Sequence, residues 1–269
     1  MKKVLTIAGS DTCGGAGIQA DLKTFSAHGV YGMSVITAVT AQNTQGVFAV
    51  QDIAPDIIAK QIDAIFEDIE VDALKIGMVS VIDTIKIIAA KLRERRAQNI
   101  VLDPVMISKS GFPLLQPVAQ EALVEHLLPL ATIATPNIPE AEAITGKAIE
   151  DLQDMKEAAK IISSFGPTYI LVKGGHMENQ AIDILFDGHN FSEFESPRLN
   201  TKNTHGTGCT LSASIASNLA KGMEVAKAVE ASKKYITTAI EHGLTIGKGV
   251  GPTHHFYELY QKAGILDEQ

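Results

Sequence analysis

Five short apolar runs, each followed by a polar turn, constrain the fold of this chain more than any other feature. The runs are residues 4–8, 74–79, 100–102, 132–135 and 169–172. Runs of this length and composition are typical of strands that are buried on both faces of a parallel sheet. Amphipathic helical patterns separate them, and this alternation is typical of α/β proteins. The sequence therefore predicts a mostly parallel central sheet with helices packed against it.

Two further strand signals accompany these runs. Residues 31–41 are rich in β-branched side chains and end in a polar cluster with a turn at 42–46. Asp187 and Gly188 separate two strand-like segments, and this dipeptide is a frequent hairpin turn. We therefore predict an antiparallel hairpin at the edge where the parallel sheet ends.

The helical patterns have apolar residues at the spacing of one buried face. They cover residues 18–25, 53–69, 82–96, 119–128, 155–165, 206–221 and 225–240. The last of these helices should pack alongside the one before it. The 269 residues are 45% hydrophobic and show no internal repeat or low-complexity linker. This predicts a single domain over residues 1–269.

The charge balance disfavours two classes of partner. The chain has 23 Lys and Arg against 31 Asp and Glu, a net charge of -8, which would repel nucleic acid and an anionic membrane surface. No apolar run approaches the length of a membrane span, so we expect a cytoplasmic protein. The two cysteines do not form a disulfide framework, and no cysteine or histidine cluster has the spacing of a zinc site.

The start of the predicted helix after residue 205 is a candidate phosphate site. Gly206, Thr207 and Gly208 put little bulk there, so consecutive backbone N–H groups can point at an anion and act with the helix dipole. Cys209 follows in the first turn, where the dipole is expected to lower the pKa of the thiol. The alternative interpretation is a flexible glycine-rich loop followed by a small buried cysteine.

The glycines near the N-terminus do not match a known nucleotide-binding spacing. Gly14, Gly15 and Gly17 do not form a dinucleotide fingerprint, and the chain has no Walker A sequence. These glycines would allow a flat substrate to approach the backbone, with Asp21 as a polar contact. From spacing alone, however, the favoured interpretation of Asp21 is a solvated helical residue. Gln42 lies at a strand end, where an amide can read the edge of a nitrogen heterocycle.

Polar residues also follow three of the later strands. Asp103 lies at the carboxyl end of a strand, where open α/β sheets bind their ligands. Asn137 and Glu140 are three residues apart at a helix start and suit a hydrated cation, or simply a helix cap. Lys173 precedes two glycines and suits a phosphate group, or is a solvated surface lysine.

Taken together, these segments resemble the ribokinase-like fold and, within it, the hydroxymethylpyrimidine and phosphomethylpyrimidine kinases of thiamine biosynthesis. The resemblance covers nearly the whole chain. The matching segments are T-I-A-G-S-D at 6–11, G-G-A-G-I-Q-A-D-L-K-T-F at 14–25, S-V-I-T-A-V-T-A-Q-N-T at 34–44, V-L-D-P-V-M at 101–106, T-P-N-I-P-E-A at 135–141, V-K-G-G-H at 172–176, N-T-K-N-T-H-G-T-G-C-T-L-S-A at 200–213 and G-P-T-H-H-F at 251–256.

The resemblance implies a three-layer α/β/α sandwich and two successive phosphorylations by ATP. It implies that Gln42 contacts the pyrimidine ring and that further residues line its pocket, namely Gly9, Ala16, Asp21, Met78 and Val105. Asn137 and Glu140 are implied to organise Mg²⁺, in our interpretation through water. Lys173 and the loop at 206–209 would hold ATP phosphates, with Cys209 in place of the aspartate base of sugar kinases.

Three alternatives stay open at this stage. Vitamin B6 kinases share much of the pattern, and Gln42 followed by Asn43 and Thr44 favours the pyrimidine enzyme over them. A non-catalytic vitamin-binding protein is disfavoured because the phosphate-binding residues are all present. A dinucleotide oxidoreductase is disfavoured by the glycine spacing. We also expect a homodimer, as is common among the proteins that the chain resembles.

Overall fold

The computed structural model describes residues 1–108, 111–175 and 181–266. Within these residues one nine-stranded sheet forms the centre of the protein, in the order β3-β2-β1-β4-β5-β6-β7-β8-β9. The strands are β1 Lys3–Ser10, β2 Tyr31–Asn43, β3 Gly46–Asp52, β4 Ala73–Ile76, β5 Ile100–Leu102, β6 Ile133–Ala134, β7 Tyr169–Val172, β8 Ala181–Phe186 and β9 Phe191–Ser196. The helices are α1 Gly17–Ala27, α2 Pro55–Asp68, α3 Ile82–Glu94, α4 Gln120–His126, α5 Ile138–Thr145, α6 Leu152–Ser163, α7 Thr207–Ala220, α8 Val225–Glu241 and α9 Tyr257–Lys262.

The pairing of the strands confirms the predicted parallel core and the predicted hairpin. From β2 through β1, β4, β5 and β6 to β7, all neighbours are parallel. At one edge, β8 pairs antiparallel with both of its neighbours, β7 and β9. At the other edge, β3 pairs antiparallel with β2. Strand β3 was not predicted, because all of its residues are partly or fully exposed and it lacks the apolar run of a buried strand.

Alternating strand residues divide the core between the two faces of the sheet. In β5, Ile100 and Leu102 belong to the core cluster that packs against α2 to α6, whereas Val101 belongs to the cluster with α1, α7 and α8. Val4 and Leu5 of β1 divide in the same way. Successive strand side chains point to opposite faces, so an apolar strand buries both of them. The result is a three-layer α/β/α sandwich, as predicted.

Helix α7 lies at the centre of its layer. It packs on β1, β4 and β5, with α1 and α8 beside it. All of its residues from Thr210 onward are buried, so it is more deeply enclosed than the apolar spacing of its sequence predicted. Polar side chains on this helix pair with α8, since Ser214 and Asn218 each donate to Ser232 Oγ, at 2.8 and 3.1 Å. These contacts hold the helix in place and leave its N-terminus facing the carboxyl ends of the strands.

Candidate active site

A cleft of about 850 Å³ lies at the carboxyl ends of the parallel strands, beside the N-terminus of α7. Twelve of the thirteen predicted site residues line it. They are Gly9, Ala16, Gln42, Met78, Val105, Asn137, Glu140, Lys173, Gly206, Thr207, Gly208 and Cys209. His176, part of one matching segment, lies outside the described residues. The structure thus brings the predicted pyrimidine residues and the predicted phosphate residues to one cleft.

The N-terminus of α7 is open to this cleft because of Gly206. This residue is the N-cap in the left-handed conformation, with φ of 77°, and no side chain caps the helix. A Cβ at this position would come within 1.7 Å of the Gly15 carbonyl oxygen, so only glycine fits. Gly208 lies beside two charged groups, because a Cβ there would be in ordinary contact, at 3.5 Å, with both Asp103 Oδ2 and Lys173 Nζ. The first-turn N–H groups therefore lie close to a lysine ammonium, an arrangement that suits an anion.

The predicted effect of the helix dipole on Cys209 is wrong. Burial raises the pKa of the Cys209 thiol to about 11, and the Asp21 and Asp103 carboxylates act in the same direction. The Lys75 ammonium and a hydrogen bond from the Gly17 backbone N–H oppose this effect without overcoming it. The thiol is half-buried where the first turn of α7 packs against the start of α1, so desolvation of the thiolate outweighs the favourable charge.

Both interpretations of Asp21 are wrong as well. Asp21 is completely buried, outside the cleft, and its carboxylate forms a salt bridge of 2.9 Å with the equally buried Lys75. Thr6 Oγ1 donates to the same carboxylate at 2.6 Å. Burial alone would lower the pKa of Lys75, but the charges of Asp21, Cys209 and Asp103 raise it above its ordinary value. Asp21 therefore joins α1 to β4 below the floor of the cleft.

Lys173 is held by a carboxylate and is not a solvated surface lysine. Its Nζ lies 2.9 Å from Asp103 Oδ1, and Asp103 is only 1% exposed. Ser212 of α7 donates to the other oxygen of Asp103 at 3.3 Å. Burial would raise the pKa of Asp103, but the charges of Lys173 and Lys75 outweigh it and keep the pKa below its ordinary value. A fixed ammonium group thus stands beside the N-terminus of α7.

Asn137 and Glu140 form a capping box at the start of α5. The Asn137 backbone N–H donates to Glu140 Oε2 at 2.8 Å, and the Glu140 N–H donates to Asn137 Oδ1 at 2.9 Å. Burial raises the pKa of Glu140 to about 7, whereas Lys173 and the backbone N–H groups of Asn137 and Met106 lower it. These oxygens suit Mg²⁺, but they already accept hydrogen bonds, so they fit contact through bound water better than direct coordination.

A buried pair that was not predicted, Asp11 and His205, joins two loops of the cleft. His205 Nε2 lies 2.9 Å from Asp11 Oδ2, which also accepts the backbone N–H groups of Gly15 and Ala16 at 3.0 and 2.8 Å. Asp11 Oδ1 accepts the Cys13 N–H at 2.8 Å. An aspartate three residues before a glycine pair, as Asp11 is before Gly14 and Gly15, is a signal for such a turn. Asp11, Cys13 and His205 have ligand atoms within 4.8 Å of one another, but a metal ion would have to displace these hydrogen bonds.

The same pair adjoins Gln42. One end of the Gln42 amide lies 3.4 Å from His205 Nε2, and the other end lies 3.2 Å from Thr40 Oγ1. His205 is fixed on its other side, since its backbone N–H donates to the Gly251 carbonyl at 2.9 Å. Nearby, the turn after β2 is fixed to the same C-terminal segment, because the Val250 N–H donates to the Thr44 carbonyl at 2.8 Å.

Comparison with known proteins agrees with this geometry. A family model described as phosphomethylpyrimidine kinase matches residues 11–254. This chain belongs to the phosphomethylpyrimidine kinase family. A similar family member is the hydroxymethylpyrimidine/phosphomethylpyrimidine kinase of Rhizobium meliloti (strain 1021), which is 53% identical over 261 residues, 96% of this chain and 98% of that protein.

Solved structures place the phosphomethylpyrimidine kinase family beside the pyridoxal kinases. The phosphomethylpyrimidine kinase of Clostridium difficile 630 has a TM-score of 0.81 and 55% identity, covering 89% of this chain and 100% of that one. An ADP complex of Bacillus subtilis pyridoxal kinase has a TM-score of 0.89 and 43% identity, covering 95% of this chain and 98% of that one. The predicted ribokinase-like fold is confirmed. Within the described residues, no helix combines the length and apolar character needed to cross a bilayer.

Proposed function

We propose that this protein phosphorylates 4-amino-5-hydroxymethyl-2-methylpyrimidine with ATP and then phosphorylates the monophosphate to the diphosphate, in thiamine biosynthesis. One observation carries the proposal: the Gln42 amide and the open N-terminus of α7 line a single cleft. The amide at one end of the cleft can form hydrogen bonds to the edge of a nitrogen heterocycle, and the helix N-terminus at the other end can bind a phosphoryl group. Relatives named for these two phosphorylations support the same assignment.

In this proposal, catalysis comes from positioning and charge neutralisation. The N–H groups of Gly206, Thr207, Gly208 and Cys209 hold the transferring phosphoryl group. Lys173, kept protonated by Asp103, neutralises charge on the ATP phosphates. Phosphoryl transfer passes through a loose transition state, so correctly placed positive groups supply most of the rate enhancement.

The raised pKa of Cys209 restricts its role as a base. A thiol with a pKa of about 11 is ionised in only about one molecule in 10⁴ at pH 7. The first phosphorylation must release a proton from the alcohol, whereas the second acts on a phosphate that is already anionic. A base is therefore useful only in the first step, and we propose that Cys209 serves that step alone, through the small fraction that is ionised.

The remaining site residues have supporting roles in this proposal. Asn137 and Glu140 hold Mg²⁺ through water, and the ion supplies positive charge beside the ATP phosphates. Gln42, Gly9, Ala16, Met78 and Val105 enclose the pyrimidine. Asp21 is not part of this pocket, because it is buried in the protein interior. Isothermal titration calorimetry tests the metal role. Mg²⁺ is titrated into the ATP complexes of the wild type and of Glu140→Gln, and equal Mg²⁺ affinities for the two would refute the role.

We also propose that the chain is one catalytic domain that forms a homodimer in the cytoplasm. One sheet that contains all nine strands, with β3 and β9 at its edges, supports a single domain. The β2–β3 edge exposes Val39 and Phe48, at 48% and 67%, and a dimer would bury such apolar surface. The proposed reaction consumes ATP, which is plentiful in the cytoplasm, and the net charge of -8 opposes binding to nucleic acid. Sedimentation velocity of the wild type tests the dimer, and a sedimentation coefficient that corresponds to a monomer would refute it.

A kinase assay with three acceptors side by side tests the proposed function. The acceptors are hydroxymethylpyrimidine, its monophosphate and pyridoxal. We expect ADP release with both pyrimidines, and faster release than with pyridoxal. The second candidate, pyridoxal phosphorylation, rests on the high structural similarity to the Bacillus subtilis pyridoxal kinase. ADP release with pyridoxal alone would favour it, and no release with any acceptor would favour a non-catalytic binding protein.

A further inference from the structure

We propose that Asp183 is a positioning residue for phosphoryl transfer. Its carboxylate, paired with Lys233, holds the backbone that follows Lys173 and so fixes where the Lys173 ammonium stands beside the nucleotide phosphates. The inference rests on the proposed function and goes further, because it adds a residue of the edge hairpin to the phosphate site.

Asp183 and Lys233 form a buried ion pair in the wall of the cleft. Asp183 lies in β8 and is 3% exposed, and Lys233 lies in α8 and is 9% exposed. Lys233 Nζ is 2.5 Å from Asp183 Oδ2 and also donates to the Ala181 carbonyl at 3.1 Å. Replacing a whole buried ion pair by apolar side chains of similar volume is often neutral for stability. Stability alone therefore does not explain why this pair is charged.

The other oxygen of Asp183 holds the backbone of Gly174. The Gly174 N–H donates to Asp183 Oδ1 at 2.9 Å. The ladder between β7 and β8 ends at the pair of Val172 and Ile184, so beyond this pair the Asp183 side chain holds the chain to β8. The two segments are in close contact there, because a Cβ on Gly174 would lie 1.9 Å from the Ile182 carbonyl oxygen.

Lys173 is consequently held from three directions. Its own N–H donates to the Pro136 carbonyl after β6 at 2.8 Å, and the N–H of Gly174 is bound to Asp183 in β8. The peptide groups on both sides of the Lys173 Cα are thus fixed. The third contact is the 2.9 Å salt bridge from the ammonium group to Asp103 after β5. Loss of the Asp183 contact would release the peptide that follows the lysine, and the ammonium group would shift with it.

The two donors around Asp183 explain why a carboxylate is needed. Each of its oxygens accepts one donor, the Gly174 N–H and the Lys233 ammonium. An amide at this position would turn its NH₂ group toward one of them, whereas a carboxylate only accepts. Lys233 in turn follows Ser232, which binds α7 as described above. The ion pair therefore connects the layer of α7 and α8 to the end of β7, where Lys173 lies.

Two double variants separate positioning from charge and packing. Asp183→Asn/Lys233→Met removes both charges and keeps an oxygen that can accept the Gly174 N–H. Asp183→Leu/Lys233→Met removes both charges and the acceptor, with a side chain of similar volume. Both lack Lys233, so any contact that Lys233 itself makes with a ligand cancels in the comparison.

We expect kcat to be at least about tenfold lower in the leucine variant than in the asparagine variant, with hydroxymethylpyrimidine and with its monophosphate, since a displacement of about 1 Å can cost about 10²-fold. KM for the pyrimidine should agree within about twofold, because Gln42 lies at the other end of the cleft. Glu193→Gln is a control. Glu193 of the neighbouring strand β9 pairs with Lys156 at 2.7 Å, away from the end of β7, and its loss should leave kcat unchanged.

ATP affinity, measured by calorimetry without a pyrimidine, tests whether the effect passes through Lys173. The leucine variant should bind ATP at least about fivefold more weakly than the asparagine variant. Addition of Lys173→Met to each should bring the two affinities within about twofold of each other, because the effects of residues that act as a unit are not additive.

Three outcomes would overturn the inference. Equal kcat in the two double variants, both folded by circular dichroism, would mean that the ion pair is purely structural. A difference in ATP affinity that persists after Lys173→Met would mean that Asp183 does not act through Lys173. Rapid hydrogen exchange of the Gly174 amide in the wild type, which needs no variant, would contradict the contact itself. Failure of the proposed function would appear separately, as a wild type that binds ATP and phosphorylates neither pyrimidine.

Discussion

Replacement of Lys75 by methionine should destabilise the protein strongly. Lys75 and Asp21 are both fully buried, and their salt bridge of 2.9 Å is enclosed between α1 and β4. Lys75→Met leaves the Asp21 carboxylate buried without its partner, which costs about 3–5 kcal/mol of the free energy of unfolding. For a protein of this size, the melting temperature should fall by about 6–20 °C.

The cost of Lys75→Met should also depend on pH. Burial raises the pKa of Asp21, and loss of the Lys75 charge, which opposes that rise, moves it higher still. An acid whose folded-state pKa lies above its unfolded value contributes stability at low pH and loses it as the pH rises through the folded-state pKa. The variant should therefore be closer to the wild type at pH 5 than at pH 8.

Urea unfolding followed by circular dichroism measures both effects. Lys91→Met is a matched control, because Lys91 pairs with Asp63 at 2.8 Å on the surface, where such a pair contributes about 0–1 kcal/mol. The double variant Lys75→Met/Asp21→Asn removes both charges and keeps an acceptor for Thr6, so it should recover most of the lost stability. If Lys75→Met costs no more than Lys91→Met at pH 8, the reasoning is refuted.

Three further predictions concern the cleft. Gln42→Ala should raise KM for the pyrimidine at least tenfold, since one hydrogen-bonded contact contributes about 1.5 kcal/mol. ATP affinity, measured by titration, should stay within about twofold of the wild type, and an equal loss of ATP affinity would exclude a role for Gln42 in binding the ring. Cys209→Ala should slow the first phosphorylation more than the second in single-turnover assays, by at most about 10²- to 10⁴-fold, and equal losses would mean that the sulfur only shapes the site. Gly206→Ala should weaken ADP binding by at least tenfold, because the added Cβ would lie 1.7 Å from the Gly15 carbonyl oxygen; calorimetry showing unchanged affinity in a folded variant would contradict this.

Much of the architecture was predictable because it depends on local patterns. Each fully buried strand is a short apolar run, and the Asp187 hairpin has a characteristic turn. The edge strand β3 was not predictable in this way, because its side chains Phe48 and Ala49 are exposed instead of alternating cleanly between core and solvent. Its pairing with β2 depends on backbone hydrogen bonds that the side-chain pattern does not reveal.

The electrostatics of the site were much less predictable. Asp21 and Lys75 are 54 residues apart, and nothing in either local sequence indicates that they pair in the interior. The position of Cys209 in the first turn of a helix predicts a lowered pKa for its thiol, but burial reverses the direction. Lys173 and Asp103 are likewise brought together only by the order of the strands. Charge effects depend on contacts between distant segments, whereas strand and helix signals are local.

The C-terminal segment after α8 links the two ends of the cleft mechanically. Its Val250 N–H binds the turn that follows Gln42, and its Gly251 carbonyl binds the backbone of His205. A displacement of this short segment would therefore move the turn after Gln42 and the residue that precedes Gly206 together. Under the proposed function, Val250 and Gly251 therefore help to set the separation between the pyrimidine site and the phosphate site, although neither residue lines the cleft.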